Sequence, residues 1–278
     1  MKVQLSDEIV YNIVYDKNKF LPDSIPVVFL HGFSGSAEDW RFLFDELPPR
    51  FTPIAIDLLG HGESSSPENI EEYYFLSLNS HLKNIFNRLK ISNPILAGYS
   101  MGGRAALSFT FANPKIIKAL ILESSTAGIV DYEDRFARQE KDEQLADKIE
   151  LFGIEKFVEH WMNIPLFESL KKLPEDRYAE ITTRKLKNNR IGLSNSLRGF
   201  GTGVMPPLWY ELKNISQKVL LISGGKDKKF SDINVRMRQD MPDAALNIVE
   251  GAGHNVHLEK PEEFINLVNY FLAQLDED

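Results

Sequence analysis

The strongest constraint on this chain is a short turn, Gly98-Tyr99-Ser100-Met101-Gly102, with a further glycine at Gly103. It follows directly on a strand-like run at 95–97 and leads directly into a helical pattern over 101–112. The bare G-x-S-x-G pattern arises by accident in about one chain in ten of this length, so the flanking periodicity carries the argument. A strand that passes into a helix within so few residues must bend outside the ordinary backbone regions. Small residues beside the serine remove the Cβ atoms that would block the bend. Such a turn lifts the serine side chain into a cleft at the end of its strand, as a nucleophile elbow does.

Short apolar, β-branched runs recur at 9–15, 25–30, 53–56, 94–97, 117–122, 219–222 and 246–249. Helical patterns lie between most of them, at 37–46, 73–89, 101–112, 231–241 and 261–275. This alternation predicts an α/β chain with a mostly parallel sheet flanked by helices, and with the elbow it predicts the α/β-hydrolase fold. The alternation stops after Leu122 and resumes near Lys218. The stretch between is dense in charge at 133–150, and it places Ile154, Phe157, Val158 and Trp161 at helical spacing, a stripe expected to pack on the core. The expected organisation is a core made of residues 1–123 and 213–278, interrupted by a helical cap at 124–212.

Composition narrows the partners. A formal net charge of -8 argues against nucleic acid and against an anionic membrane surface. The chain has no cysteine, which removes disulfides, a thiolate nucleophile and cysteine metal sites, and points to a reducing cytoplasm. The opening Met1-Lys2-Val3-Gln4, with Asp7 and Glu8 close behind, lacks the apolar run of an export signal. The longest apolar runs, such as 26–30 and 119–122, fall far short of the roughly 20 residues that cross a bilayer. A monomer or weak homo-oligomer is expected.

A serine hydroxyl needs a base, and the base needs a carboxylate to orient it. Both follow in the order this fold uses. The strand at 219–222 leads through Ser223, Gly224, Gly225 and Lys226 to Asp227, and the strand at 246–249 leads through Gly251, Ala252 and Gly253 to His254. Ser100, Asp227 and His254 are therefore the expected catalytic residues. Asp57 also follows a strand, but it precedes the serine and opens a Gly60-His61-Gly62 turn. His257 stands three residues after His254, without a third ligand at matching spacing, so no metal is expected. His81 and His160 lie in helical patterns and are expected at the surface.

His31-Gly32-Phe33 follows the strand at 25–30, where this fold places one backbone donor of an oxyanion hole; the second comes from the residue after the nucleophile. The expected donors are the amides of Phe33 and Met101, and His31 reads as a structural hydrogen-bonder. Arg104, four positions after Ser100, lies on the same helical face one turn along. A buried cation there requires an anion, either a core acid such as Glu123 or an anionic substrate.

At these residues the chain resembles the 2-succinyl-6-hydroxy-2,4-cyclohexadiene-1-carboxylate synthase family of menaquinone biosynthesis. The resemblance runs through H-G-F-S-G from His31, G-Y-S-M-G-G-R from Gly98 to Arg104 and E-S at Glu123. It continues in A-R-Q at Arg138, W-M-N-I-P-L-F from Trp161 to Phe167 and S-L-R-G-F-G-T-G from Ser196. G-G-K-D-K-K-F from Gly224 and G-A-G-H-N-V-H from Gly251 complete it. It implies that arginines clamp the carboxylates of a small tricarboxylate substrate, at Arg104, at Arg138 and at either Arg184 or Lys185. Trp161 and Phe167 match pocket-wall positions. The implied reaction is a cofactor-independent proton abstraction followed by 2,5-elimination of pyruvate, a lyase reaction on a hydrolase scaffold. The alternative for the same triad is a carboxylic-ester or C–C bond serine hydrolase, and a non-catalytic receptor is the third class.

Overall fold

Val27, Val28, Phe29 and Leu30 end strand β3 (Ile25–Leu30), and all four are buried, because a strand in the middle of a parallel sheet shows apolar side chains to helices on both faces. The computed structural model describes residues 1–16 and 23–275. Around β3 lie β1 (Lys2–Gln4), β2 (Val10–Tyr15), β4 (Phe51–Ile56), β5 (Ile95–Tyr99), β6 (Ala119–Glu123), β7 (Lys218–Gly224) and β8 (Ala244–Val249). The sheet order is β1-β2-β4-β3-β5-β6-β7-β8. The two pairings at the β1 edge are antiparallel, and every pairing from β4 to β8 is parallel.

Period-two alternation sorts the core into two layers. Val28 and Leu30 join one apolar cluster with residues of α1 (Phe75–Leu89), α2 (Met101–Ala112) and α6 (Lys228–Asp240). Val27 and Phe29 join the other, with Trp40, Leu43 and the buried face of α8 (Pro261–Gln274). Most expected elements are present at or near their predicted places. The segment expected as a helix at 37–46 is a 3-10 turn, Ala37–Leu43, and the three-residue edge strand β1 was not expected.

Between β6 and β7 the chain leaves the sheet for α3 (Tyr132–Trp161), a 3-10 turn (Pro165–Lys172), α4 (Glu175–Leu186) and α5 (Arg190–Phe200). Asp131 starts α3 by accepting from the Asp134 amide at 2.9 Å. Gly153 breaks α3 with φ 84° and ψ 174°. Before the break the dense charge has a packing role: Arg198 of α5 bonds Glu143 at 2.8 Å and Asp147 at 2.7 Å, and also reaches Glu150. After the break Ile154, Phe157 and Val158 are buried against Ile181, Leu193 and Leu197. The stripe expected to pack on the sheet core thus builds a separate small core within these helices, joined from the main body by Phe33 and Leu258. A short α7 (Val256–Glu259) precedes α8. Among the described residues no helix is long and apolar enough to cross a membrane.

Candidate active site

Ser100 sits between β5 and α2 with φ 50° and ψ -103°. A bend of this kind survives only where its neighbours leave room, and two glycines supply it. A Cβ on Gly102 would lie 2.0 Å from the Leu30 carbonyl oxygen, and one on Gly98 would lie 2.3 Å from that of Gly102. The Ser100 amide donates to the Glu123 carbonyl at 2.8 Å, which ties the turn to the neighbouring strand.

The loops after β7 and β8 bring the other two side chains to it. Ser100 Oγ donates to His254 Nε2 at 3.1 Å, and His254 Nδ1 donates to an Asp227 carboxylate oxygen at 2.5 Å. The second Asp227 oxygen accepts from the Phe230 amide at 3.2 Å, so the same carboxylate caps α6. The imidazole is 2% exposed and is walled by Phe230, Tyr99 and Phe167, with ring centroids 4.5, 5.3 and 6.0 Å away. The expected Ser–His–Asp set is therefore assembled, with the geometry of a nucleophile or base activated by an oriented imidazole.

Asp57 takes no part in it. Its carboxylate accepts from the Ala37 amide at 2.6 Å, from Asn12 Nδ2 at 2.9 Å and from the Glu63 amide at 2.9 Å, holding the loops together. His31 donates from Nδ1 to the Gly32 carbonyl at 2.8 Å and accepts at Nε2 from the Leu58 amide at 2.9 Å, the structural role expected of it. Burial drives its pKa down, which suits the neutral ring that this pair of bonds requires. His257 donates to Glu123 at 2.7 Å and stacks on Trp40 at 4.2 Å. Among the described residues no group of three His, Cys, Asp or Glu could hold a metal ion. His160 is exposed, but His81 is mostly buried, bonded to the Tyr11 hydroxyl at 3.0 Å and to Glu72 at 3.2 Å.

A cleft of about 290 Å³ opens in front of Ser100, between the sheet and the inserted helices. Phe33, Met101, Trp161 and Phe167 line it. Met101 begins α2, so its amide has no carbonyl one turn behind it to bond. Neither this amide nor that of Phe33 has a protein acceptor among the described residues, as donors awaiting a developing anion require. Arg104, Arg138, Lys185 and Lys229 bring four cations to the lining against the single carboxylate of Asp39.

Arg104 is 7% exposed and donates from Nη1 to the Phe200 carbonyl at 2.7 Å, with its guanidinium 5.2 Å from the Phe200 ring. The expected core partner, Glu123, is committed to His257, and Arg104 forms no ion pair among the described residues. Burial, with Arg138 adding to it, pushes the Arg104 guanidinium down to about 9. It remains a cation at neutral pH, and the Asp142 carboxylate, which favours its charged form, is paired with Arg138 and not with it. Of the two residues expected as a third carboxylate contact, only Lys185 reaches the cleft, with Nζ 3.2 Å from Ser34 Oγ and the side chain buried. Arg184 does not line the cleft itself: it bonds the cleft carboxylate Asp39 at 3.0 Å and Glu180 at 2.7 Å, because consecutive helical residues face directions about 100° apart.

The α/β-hydrolase-fold family model matches residues 25–261. A Bacillus subtilis protein provisionally named 2-succinyl-6-hydroxy-2,4-cyclohexadiene-1-carboxylate synthase is 45% identical over 249 residues, 90% of each chain. The synthase of that name from Klebsiella pneumoniae is 30% identical over 249 residues, covering 89% of this chain and 93% of its own. The chain belongs to this synthase family of the α/β-hydrolase fold. The solved MenH structure from S. aureus superposes with a TM-score of 0.90 at 32% identity, covering 96% of this chain and 98% of that one.

The sequence reading missed part of the cleft wall. Ser196, Lys229, Phe230 and Asn255 also line the cleft. Lys229 and Phe230 could have been found from Asp227: an acid that caps a helix puts the next residues in its first turn, beside whatever the acid holds. Ser196 carries no such signal, since only the packing of α5 over the sheet brings it to Met101, whose sulfur it approaches at 3.6 Å.

Proposed function

We propose that this chain eliminates pyruvate from 2-succinyl-5-enolpyruvyl-6-hydroxy-3-cyclohexene-1-carboxylate to form 2-succinyl-6-hydroxy-2,4-cyclohexadiene-1-carboxylate, in menaquinone biosynthesis and in the cytoplasm. The observation that carries the reading is Arg104, a buried cation one helical turn from Ser100 that forms no ion pair among the described residues, the nearby Asp142 being bonded to Arg138. An ordinary ester cleft has no use for a cation so costly to desolvate, whereas a tricarboxylate substrate supplies its missing anion. Lys185 and Arg138 add charge on other walls, offsetting locally the repulsion of a chain with net charge -8.

In this reaction Ser100 Oγ removes a proton next to a carbonyl while His254 takes the hydroxyl proton and Asp227 steadies the imidazolium. Negative charge develops on the carbonyl oxygen, where the Phe33 and Met101 amides stabilise it. The electron pair then passes through the ring, the bond to the enolpyruvyl oxygen breaks, and pyruvate departs after regaining the proton. The chain's own groups serve every step, so neither metal nor organic cofactor enters. The second reading, ester or C–C bond hydrolysis, rests on the 3.1 Å Ser100–His254 contact, which serves a covalent nucleophile equally well.

The test is pyruvate release from the enolpyruvyl substrate, coupled to lactate dehydrogenase, by wild type and Ser100→Ala in the presence of EDTA. Wild type is expected to turn over undiminished by the chelator, and Ser100→Ala to lose at least about 10³-fold in kcat. Hydrolysis of p-nitrophenyl esters without pyruvate release would decide for the hydrolase.

A further inference from the structure

Asp142 is a carboxylate buried where the cleft gathers positive charge. It lies on α3 and is 5% exposed, and one of its oxygens accepts from Arg138 Nε at 2.9 Å. The other oxygen is buried without a hydrogen-bond partner among the described residues. The backbone packs closely there: a side chain at Gly201 would come within 2.6 Å of that oxygen. Burial pushes the Asp142 carboxyl up, while Arg138, Arg104 behind it and the Gly203 backbone amide pull it back down.

Helix stability does not account for the pair. An acid placed four residues before a base favours a helix more than the reverse order, and here the base comes first. The exposure is also lopsided, with the Asp142 side chain 7% exposed and that of Arg138 37%. The acid is thus the fixed member, and the arginine is the one that needs holding.

The contact uses only one edge of the guanidinium. Arg138 bonds Asp142 through Nε, and among the described residues no hydrogen bond engages its two Nη groups, although the side chain lines the cleft. The Nη groups form the fork that grips a carboxylate with two parallel bonds. We propose that Asp142 is a positioning residue for the substrate: it holds Arg138 by the Nε edge and leaves the fork ready for a substrate carboxylate. This rests on the anionic-substrate reading above. Without the anchor, binding would have to order a long side chain that samples many rotamers.

The test is a double-mutant cycle on wild type, Asp142→Ala, Arg138→Ala and the double variant, with KM and kcat read by pyruvate release. Asp142→Ala is expected to raise KM about 2- to 13-fold with kcat near wild type, the range for ordering one rotamer-rich side chain. Arg138→Ala is expected to raise KM about 10- to 100-fold through loss of the charge-assisted bonds themselves. In the Arg138→Ala background, Asp142→Ala should raise KM no further. A rise that persists there, or a fall in kcat in place of a rise in KM, overturns the inference, since an acid that merely supports the fold acts whether or not Arg138 is present. Should alanine at 142 fail to fold, Asp142→Asn replaces it, keeping the volume and an oxygen for Nε. Its smaller rise in KM must vanish in the same way.

The same four chains are assayed on p-nitrophenyl succinate, an anionic ester. A wild type that cleaves this ester without releasing pyruvate overturns the lyase reading alone, and the cycle on the ester then decides the role of Asp142. A wild type inactive on both substrates overturns both.

Discussion

Replacing Arg104 by methionine separates the charge of this side chain from its bulk. The guanidinium is held down to about 9 by burial and by Arg138, well below the ordinary arginine range. Because the folded value is the lower one, folding disfavours the charged form. That cost is present in full below about pH 9 and fades only as pH rises above it toward the ordinary arginine range. At neutral pH it amounts to several kcal/mol. Arg104→Met removes it and gives up the 2.7 Å bond to the Phe200 carbonyl, worth about 1.5 to 3 kcal/mol as a bond to a charged group. The variant should therefore melt no lower than wild type. Catalysis should move the other way: a charge-assisted bond to a substrate carboxylate lost from a desolvated wall costs about 1.5 to 3 kcal/mol, or about 10- to 150-fold in kcat/KM. Pyruvate release measures this, with p-nitrophenyl acetate as the neutral substrate and thermal melts alongside. Equal losses on both substrates, or a melting temperature that drops by several degrees, would show that Arg104 is a structural cation.

Two further outcomes follow from the same cleft. Lys185→Met should raise KM for the anionic substrate about tenfold or more, whereas Arg184→Met should change KM far less, because Arg184 reaches the cleft only through Asp39 and otherwise pairs with Glu180. Equal KM effects would contradict the placement of the two side chains. Gly102→Ala should cost at least about 2 to 3 kcal/mol in urea unfolding, since its Cβ would meet the Leu30 carbonyl oxygen at 2.0 Å; a variant of wild-type stability would mean that the elbow is far less tightly packed.

Much of this was legible from local pattern. Strand 25–30 and helix 101–112 carry their own periodicity and boundaries, and both stand where expected. The triad was legible because each member follows a strand end, a position that chain order alone reveals. What escaped depends on contacts between distant residues. Helix α6 begins at Lys228 rather than at the expected 231, because Asp227 serves both His254 and the helix cap. The partner of Glu123 proved to be His257, 134 positions away, and nothing near either residue signals the pairing. Whether Arg184 or Lys185 enters the cleft is a matter of helix rotation, which a one-residue shift in alignment reverses.

The break at Gly153 gives α3 a consequence beyond packing. The half before it carries Arg138 and Asp142, and the half after it carries Phe157 and Trp161. At φ 84° and ψ 174° the joint sits in a region open essentially to glycine alone. In a continuous thirty-residue rod the direction of the Phe157 and Trp161 side chains would be dictated by that of Arg138 and Asp142, through the fixed turn of about 100° per residue. With the joint in place that tie is released: the backbone angles at 153 set how the aromatic half is turned, independently of the Arg138–Asp142 pair in the half before it.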